Sequence, residues 1–394
     1  MFSGRYDELL ILERMLVQAK NGNPSHFIVT GERGIGKSSL LFFLGITAVG
    51  EIPGIAGTTY KFVVVHIELE KDFEQIDILT RIGTQLRNEI ARTFNVVEFA
   101  KGAWQFLSRW EVLGVKYDGP EKADLKPFEI LDELVVTLEK VSLKLIEQGH
   151  DGILIMIDEA DKPGAGAHLG QIIKNISEKL SKRGVQNVFF GLAGLPELVA
   201  DLRESHESAP RIFHPLMLKP LEPKDRKEVV RKGLKEAEKK SGVEVKITPD
   251  AEEMISELSE GYPNFIQQFA YCAFEADRDN VIDLDDVHEG AHASAGAIDQ
   301  LGSKYFADLF FDQIYSDDYR TVLKAMAQRG DEYVTKKELK VATGLKETTL
   351  SNAINVLKDK KIIRPKEGVM GVYRLPTKSF AVWIRSLTKA APSA

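Results

Sequence analysis

The chain has 394 residues, of which 43% are hydrophobic and 28% charged, an ordinary mix for a soluble globular protein of one to three domains. Its formal net charge of −7 excludes a basic character of the molecule as a whole. Cys272 is the only cysteine, which excludes an intrachain disulfide and makes a reducing cytoplasm the expected location. The first ten residues lack the basic and apolar regions of a signal peptide, and no apolar run is long enough for a membrane-spanning helix.

The first two hundred residues alternate short apolar runs with helical patterns. The runs are rich in Val, Ile and Phe, end in polar residues and predict strands buried on both faces; they cover 26–31, 61–69, 153–158 and 187–194. Helical periodicity covers 37–48, 73–94 and 127–148. Strand signals stop after 215–223, and residues 224–240, 249–259 and 263–277 then predict helices. This alternation predicts an α/β fold with a parallel sheet covered by helices on both faces, followed by an all-α region.

The segment 99–126 interrupts this rhythm and is rich in aromatic residues. Two interpretations stay open for it. It is either a packed insertion whose aromatic side chains lie in the core, or a projecting element that contacts a partner.

The sequence GERGIGKS, from Gly31 to Ser38, fits the eight-residue phosphate-loop pattern, with Gly36, Lys37 and Ser38 at the positions that the pattern requires. Glycines let successive backbone N–H groups turn toward phosphate oxygens, and the N-terminus of the following helix favours an anion. We therefore expect Lys37 to contact the β- and γ-phosphates of ATP and Ser38 to bind Mg²⁺. The remaining residues expected to line the nucleotide are Glu32, Arg33, Gly34, Ile35 and Ser39.

The sequence GILIMIDEAD places two carboxylates at the end of an apolar run. We expect Asp158 to hold Mg²⁺ through water and Glu159 to act as the general base toward the attacking water. Asp161, slightly further on, is expected to cap or pair rather than to catalyse.

These motifs, with the helical region and the C-terminal region, resemble an AAA+ P-loop ATPase of the branch that holds origin-recognition-type initiators and STAND signalling ATPases. The resemblance covers nearly the whole chain. It implies three domains: an ATPase core over 1–215, a helical lid over 216–304 and a winged helix over 305–394.

Two further stretches carry the resemblance. The stretch 2–16, FSGRYDELLILERML, is similar to the family's N-terminal box, which implies that Phe2, Gly4 and Arg5 lie around the adenine. The stretch 260–271, EGYPNFIQQFAY, is similar to the Gly-x-Pro motif of the STAND branch, which implies that Pro263 approaches the base or sugar.

Arg211 matches the position at which family members often carry an arginine finger. Such a finger would reach the γ-phosphate of a neighbouring subunit and would require an oligomer. The alternative is a surface arginine paired with Glu204 or Glu207, and Arg203 is a second candidate for the finger. The sequence departs from the family at 189–198, where no polar residue marks the end of the strand, and this departure predicts slow hydrolysis.

The region 319–385 has fifteen Lys and Arg against six Asp and Glu, a formal charge of +9 that leaves −16 for the rest of the chain. Helical patterns cover 318–328, 335–344 and 346–363, and two strands with a turn at KEGVMG follow. Thr335 and Glu338 form a capping box. This order resembles a winged helix.

In the third helix, Leu350, Ile354 and Leu357 share one stripe and are expected to face the core. Small polar residues at the start of a helix are typical of a helix that reads DNA bases. The residues expected to contact double-stranded DNA are Lys346, Thr348, Asn352, Lys358, Arg364 and Lys366. The alternative is a winged helix that binds protein or locks the ATPase.

The sequence therefore predicts a slow ATPase with ATP and Mg²⁺ as ligands, whose nucleotide state controls DNA binding or partner recruitment. A signalling switch of the STAND type, with an autoinhibitory or protein-binding winged helix, is the alternative. A loader or remodeller would share the initiator's chemistry. A homo-oligomer or a partner protein is possible in each case, and no membrane is expected.

Overall fold

The computed structural model describes residues 3–55, 57–94, 110, 126–330, 332–366 and 368–389. The chain divides into two compact units, Gly4–Lys219 and Pro220–Ala394. The boundary that the sequence predicts near residue 304 falls inside the second unit and stays a prediction. No helix of the described residues is long and apolar enough to cross a membrane.

The first unit contains a five-stranded parallel sheet in the order β2-β3-β4-β1-β5. Its strands are β1 His26–Thr30, β2 Phe62–Glu68, β3 Gly152–Asp158, β4 Val188–Gly194 and β5 Phe213–Met217. Every residue of β1, β3 and β4 is buried, as the apolar runs predict for strands covered on both faces. The parallel sheet of the predicted α/β fold is confirmed, and it brings the carboxyl ends of β1, β4 and β3 to one edge.

Six helices accompany the sheet, numbered over the described residues. They are α1 Tyr6–Lys20, α2 Lys37–Ala48, α3 Gln75–Thr93, α4 Pro127–Glu147, α5 Leu169–Lys182 and α6 Leu198–Ser205. The bounds of α2 agree with the prediction. The helices α5 and α6 were not predicted, although Ile172, Ile173, Ile176 and Leu180 follow helical spacing and are all buried.

Trp110 is the part of the aromatic-rich insertion that the structure describes, together with Lys126 at its end. Its side chain is fully buried, and its Nε1 donates a hydrogen bond to Thr137 Oγ1 at 3.1 Å. A Cβ on Gly83 would lie 2.1 Å from the Trp110 ring, so α3 needs a glycine at this contact. Trp110 therefore packs in the core; Trp104, Phe106 and Tyr117 lie outside the described residues.

The second unit is mainly helical. Its helices are α7 Pro223–Ser241, α8 Pro249–Leu258, α9 Pro263–Ala276, α10 Leu284–His292, α11 Ala297–Leu301, α12 Asp317–Ala327, α13 Lys336–Thr343, α14 Glu347–Asp359 and α15 Lys378–Lys389. Its strands are β6 Lys246–Ile247, β7 Val281–Ile282, β8 Val334–Thr335, β9 Arg364–Pro365 and β10 Val372–Arg374. The last three form a sheet in the order β8-β10-β9, in which β8 was not predicted. The sequence also placed the end of α14 four residues too late, because the chain turns at Lys361, whose φ is 57°.

An aromatic cluster joins the helices of the second unit. Phe306 packs on Phe265 at 6.2 Å, on Phe380 at 5.0 Å and on Trp383 at 5.9 Å between ring centroids. Phe306 ends a π-helical turn, Gly302–Phe306, that continues α11, and a Cβ on Gly302 would lie 1.9 Å from the Trp383 indole nitrogen. The region before residue 304 and the region after it therefore share one core.

Candidate functional site

The loop between β1 and α2 is shaped by its glycines. Gly34 and Gly36 have φ values of 76° and 100°, in the left-handed region that favours glycine, and Gly36 precedes the first residue of α2. A Cβ on Gly31 would lie 2.9 Å from Ile35 Cγ2 and 3.2 Å from the carbonyl oxygen of Leu218. Each glycine of the predicted phosphate loop therefore meets a steric requirement.

Lys37, the first residue of α2, folds back over this loop. Its Nζ donates hydrogen bonds to the main-chain oxygens of Gly31 at 2.8 Å and Glu32 at 3.0 Å. The ammonium group thus lies inside the loop, where main-chain N–H groups and the start of α2 favour an anion.

The charge around Lys37 is balanced by carboxylates. Burial lowers the pKa of Lys37. The neighbouring carboxylates of Asp161, Asp158 and Glu159 raise the pKa. Arg33 lowers it further. The lysine of the loop and the predicted acidic motif, 121 positions apart, are thus neighbours in the fold.

The first turn of α2 also exposes Ser38 and Ser39, and Arg33 is exposed in the loop. Glu32 is half-buried and Ile35 is fully buried. Of these side chains, the Ser38 hydroxyl is the one expected to bind a metal.

Asp158 ends β3 and is 2% exposed. Its Oδ1 accepts the Glu159 N–H at 2.8 Å, which leaves its second oxygen for other ligands. Within the described residues no three His, Cys, Asp or Glu side chains form a metal-binding group, so Mg²⁺ here would also need oxygens from its nucleotide and from water.

Glu159 has a φ of 51° and lies at the turn that follows β3. Its carboxylate forms an ion pair with Lys162, three residues later, which the sequence analysis did not single out. The predicted general base is therefore engaged by a lysine of its own turn.

Asp161 forms a pairing contact, and its expected absence from the chemistry stays a prediction. Its Oδ1 accepts the Leu195 N–H at 2.8 Å and so joins the turn after β3 to the end of β4. A Cβ on Gly194 would lie 2.6 Å from this oxygen. The strand β4 ends at Gly194, so Ala193 and Gly194 lie at its end and Leu195 follows it.

Arg5 reaches the phosphate loop from the start of α1. Its Nη2 donates to the main-chain oxygen of Ile35 at 3.1 Å, and its Nη1 bonds Glu8 at 3.2 Å. Gly4 and Arg5 both have left-handed φ values, 70° and 64°, so the chain turns sharply before α1. Phe2, the third residue assigned to this box, lies outside the described residues.

Arg211 lies on a short 3-10 helix, Ala209–Ile212, just before the edge strand β5. Its side chain is exposed, and it forms no ion pair with Glu204, Glu207 or another described residue. Arg203 is exposed as well. The surface ion pair that was the alternative to a finger is therefore not formed.

Pro263 is the first residue of α9 and belongs to the second unit. The preceding Gly261 has a φ of 82°, and a Cβ there would lie 2.6 Å from the Leu221 carbonyl oxygen. Tyr262 stacks on Phe265 at 5.1 Å between centroids. Burial raises the pKa of Tyr262 to about 12, Glu260 raises it further, and Arg374 opposes the rise.

Glu260, in the same motif, connects to the C-terminal helix of this unit. Its Oε1 accepts the Ser379 N–H at 3.0 Å, and Ser379 Oγ donates to the Leu258 oxygen at 3.2 Å. Since Ser379 lies in the first turn of α15, a carboxylate caps that helix where its dipole favours negative charge.

The helix α14 has the two faces that the sequence predicts. Leu350, Ile354 and Leu357 are buried, which confirms the predicted stripe. The DNA candidates Lys346, Thr348, Asn352 and Lys358 are all exposed, as are Glu347, Asn355 and Asp359. The predicted capping box of α13 is also confirmed, with Thr335 and Glu338 exchanging hydrogen bonds.

The two DNA candidates on β9 and just after it differ in exposure. Lys366 is exposed, whereas Arg364 is half-buried, and burial followed by the charge of Arg374 lowers its pKa. On α13, Lys336 and Lys340 are bound by Glu347, at 2.7 and 3.0 Å.

Sequence reasoning did not single out three of these side chains: Lys162, Glu260 and Arg374. A three-residue spacing from Glu159 was the available signal for Lys162. The contacts of Glu260 and Arg374 join residues far apart in the chain. No local pattern in the sequence indicates such contacts.

No protein-family model matches the sequence, and no curated protein matches it significantly. Solved structures do match. The Walker-type ATPase PABY2304 of Pyrococcus abyssi is 16% identical, with a TM-score of 0.59 over 98% of this chain and 96% of that chain. The Aeropyrum pernix ORC2 protein in ADPNP–ADP complexes is 16% identical, with a TM-score of 0.55 over 98% and 94%.

The ADP form of that ORC2 protein is 15% identical, with a TM-score of 0.53 over 100% of this chain and 96% of the other. At this identity the likeness establishes the fold. The chain has the fold of an AAA+ P-loop ATPase of the origin-recognition type, as the resemblance implied. The winged-helix assignment of the C-terminal region stays a prediction.

Proposed function

We propose that the first unit binds ATP with Mg²⁺ and hydrolyses it slowly, and that the nucleotide state controls a DNA-binding surface in the second unit. The observation that carries the ATPase part is the position of Lys37. Its ammonium group lies within the loop at 2.8 Å from the Gly31 oxygen, beside the carboxylates that end β3. The neighbours of similar fold include an ATPase and a protein complexed with adenine nucleotides, which supports this proposal.

The residues present fit a nucleotide triphosphate with its metal. Lys37 would exchange its two carbonyl partners for β- and γ-phosphate oxygens, and the N–H groups of the loop would bind the remaining oxygens. Ser38 and Asp158 would hold Mg²⁺, which supplies positive charge to the phosphates.

Glu159 would accept a proton from the water that attacks the γ-phosphorus, so that ADP and inorganic phosphate leave. Two features support slow turnover. The ion pair between Glu159 and Lys162 has to open before the carboxylate can act on water, and the end of β4 has no polar side chain to orient that water.

The DNA-binding part of the proposal is supported by charge and exposure. The region 319–385 has a formal charge of +9, and Thr348, Asn352 and Lys358 are exposed on α14, with the acidic Glu347 and Asp359 at its two ends. A helix with a buried apolar stripe and small polar residues at its start suits the major groove. We assign Lys346, Thr348, Asn352 and Lys358 to that contact, within a winged-helix domain.

Control by nucleotide is supported by the bonds of Glu260. It lies three residues before Pro263, the residue expected at the base or sugar, and it binds Ser379 on α15, a helix of the basic region. A shift of the Gly-x-Pro segment on nucleotide exchange would therefore act directly on α15.

Arg211 is assigned to a finger that acts on a neighbouring subunit. Its exposure without an ion pair supports this role. Arg211→Ala should abolish ATP-dependent oligomers and lower turnover, as measured by light scattering and phosphate release. An unchanged oligomer with unchanged turnover would remove Arg211 from the mechanism.

We place the protein in the cytoplasm, where ATP and DNA are both present.

The decisive experiment compares Lys37→Ala with Lys182→Ala in the full chain, using a fluorescent ATP analogue. Lys37→Ala should weaken binding at least about 100-fold, since a buried charge-assisted contact to phosphate is lost. Lys182→Ala removes the same charge from an exposed position at the end of α5, outside the loop, and should change binding by less than about threefold. Equal affinities in the two variants would contradict the site.

Binding of the full chain to duplex DNA at increasing salt tests the second part. Affinity should fall steeply with salt, because phosphate contacts release counterions. A protein that binds ATP but shows no salt-sensitive DNA affinity would instead favour a signalling switch with a protein-binding C-terminal domain.

A further inference from the structure

A cavity of about 300 Å³ lies among the helices of the second unit, and we call it the α15 cavity. Its lining comes from α8, α9, α11, α15 and the turn after α12, all within that unit. The regions before and after residue 304 therefore both contribute to it. Pockets that bind small molecules begin at about this volume, so the cavity is large enough for a small ligand.

Most of the lining is apolar. Phe269 and Ile298 are buried, and Met254, Leu258 and Val382 are half-buried. Water beside such side chains finds few hydrogen-bond partners. An apolar group that replaces this water is stabilised by the hydrophobic effect, in proportion to the surface that it covers.

The cavity also has four polar side chains, those of Lys378, Ser379, Arg385 and Glu257. Ser379 Oγ donates to the Leu258 oxygen and Arg385 Nη1 to the Ala327 oxygen, both at 3.2 Å. The Lys378 side chain is exposed and forms no hydrogen bond or ion pair with any residue that the structure describes. Two cations against one carboxylate leave the lining with a net positive charge.

Lys378 is the first residue of α15. The start of a helix favours an anion, because its first N–H groups lack partners in the helix and its dipole is positive there. This turn already binds one carboxylate, since Glu260 accepts the Ser379 N–H at 3.0 Å. An anionic group of a ligand beside Lys378 would be attracted by the ammonium group and by the helix terminus together.

We propose that the α15 cavity binds a small organic acid with an apolar body and one carboxylate. The apolar body lies against Phe269, Ile298 and Val382, and the carboxylate lies at Lys378. The ligand is bound without a chemical step. This site is separate from the proposed nucleotide and DNA sites, and its test needs neither ATP nor DNA.

The test compares phenylpropionate with its neutral amide, phenylpropionamide, by calorimetric titration of the full chain. Phenylpropionate should bind with a Kd of about 0.1–1 mM, as expected for so small a ligand. The amide has the same apolar body without the charge and should bind at least about threefold more weakly. Added salt should narrow this difference, because it screens exposed charges.

A charge variant tests the position of the carboxylate. Lys378→Gln should weaken binding of phenylpropionate about three- to tenfold and change binding of the amide by less than about twofold. Lys378→Arg keeps the charge and should restore the affinity for the acid. Lys337→Gln is the matched control, since Lys337 is an exposed lysine on α13 outside the lining, and it should change neither affinity by more than about twofold.

Two filled variants test the position of the apolar body. Val382→Phe and Met254→Phe should each weaken binding of both probes at least about tenfold, because the added ring occupies the cavity. Val341→Phe is the matched control, since Val341 is 82% exposed on α13. Urea denaturation shows whether each variant folds, and methyl resonances of Ile298 and Leu258 in the parent locate the probe if neither does.

Each contrary outcome overturns a stated part of the proposal. Equal affinities for the acid and the amide, or an unchanged affinity in Lys378→Gln, overturn the assignment of the carboxylate. Binding that persists in the folded filled variants, or methyl resonances that do not shift, overturns the cavity as the site. A parent protein that binds neither probe up to about 10 mM overturns the whole inference and leaves the proposed function standing.

Discussion

The two units build their candidate sites in different ways. In the first unit, the functional groups lie at the ends of buried parallel strands, where main-chain geometry positions Lys37 and Asp158. In the second unit, they lie on exposed surfaces and are positioned by side-chain contacts such as Lys366 on Tyr333. A site positioned by main-chain geometry can therefore be recognised from a short sequence motif. A site positioned by side-chain contacts on a surface cannot, because those contacts depend on the packing of the residues beneath it.

Charge is also treated differently in the two units. The buried ammonium of Lys37 has three carboxylates nearby, while Lys366 and Arg374 form no ion pair with a described residue. A buried cation with carboxylates beside it suits a small ligand that brings its own metal. A surface that stays positive suits a polyanion whose affinity depends on salt.

The largest expected effect tests how much the buried side chain of Trp110 stabilises the first unit against unfolding. Trp110→Ala should lower the free energy of unfolding by about 3–5 kcal/mol, because it removes a fully buried ring and leaves Thr137 without its donor. Urea denaturation measures it, with Trp110→Phe as the control that keeps most of the volume. A loss below about 1 kcal/mol would mean that the insertion packs independently of the core.

The next effect concerns the end of β3. Glu159→Gln should keep ATP affinity but lower turnover at least about 100-fold, since the amide cannot accept the proton of water. Phosphate release measures turnover. Asp161→Asn is the matched control: its side-chain oxygen can still accept the Leu195 N–H, so turnover should stay within a few-fold. Normal turnover in Glu159→Gln would exclude Glu159 as the base.

A third prediction concerns His26, which begins β1. Burial lowers its pKa from 6.5 to about 4, and its Nδ1 accepts the Phe190 N–H at 3.1 Å. Because the unfolded state takes up the proton first, stability is complete above pH 6.5 and falls as the pH drops toward 4.

Between pH 7 and pH 5 the loss at His26 should be about 2 kcal/mol. Denaturation at several pH values measures it. In His26→Leu the slope over this range should flatten, even though the variant is less stable throughout. An unchanged slope would assign the pH dependence to other groups.

The smallest expected effect tests whether the nucleotide motif acts on the basic region. Glu260→Ala removes the acceptor of the Ser379 N–H, so the ratio of DNA affinities with ATP and with ADP should move toward one, a loss of about 1 kcal/mol of coupling. ATP affinity without DNA should be retained. Glu257→Gln, an exposed carboxylate of the same helix end, is the control. A ratio that Glu260→Ala leaves intact would place the coupling elsewhere.

Much of the fold was predictable because it follows short-range rules. The start of α2 at Lys37, the capping box of Thr335 and Glu338, and the buried stripe of α14 all depend on residues within a few positions of each other. The strands were predictable because strands covered on both faces are continuously apolar. The strand β8 was missed because two residues carry too little pattern, and it forms only when β10 pairs with it.

The sequence by itself determined the phosphate loop, the acidic strand end and the excess charge of the C-terminal region. Each of these features consists of residues close together in the sequence. The phosphate loop and the acidic strand end both follow strands of one parallel sheet, so the sheet brings them to the same edge. Only the tertiary structure decided that Glu260 caps a helix 119 positions later, that Lys162 holds Glu159, and that Arg374 and Lys366 share one tyrosine ring. The contacts of Glu260 and Arg374 join elements distant in the chain, whose meeting depends on the packing of the whole unit, while the ion pair of Lys162 depends on the turn that ends β3.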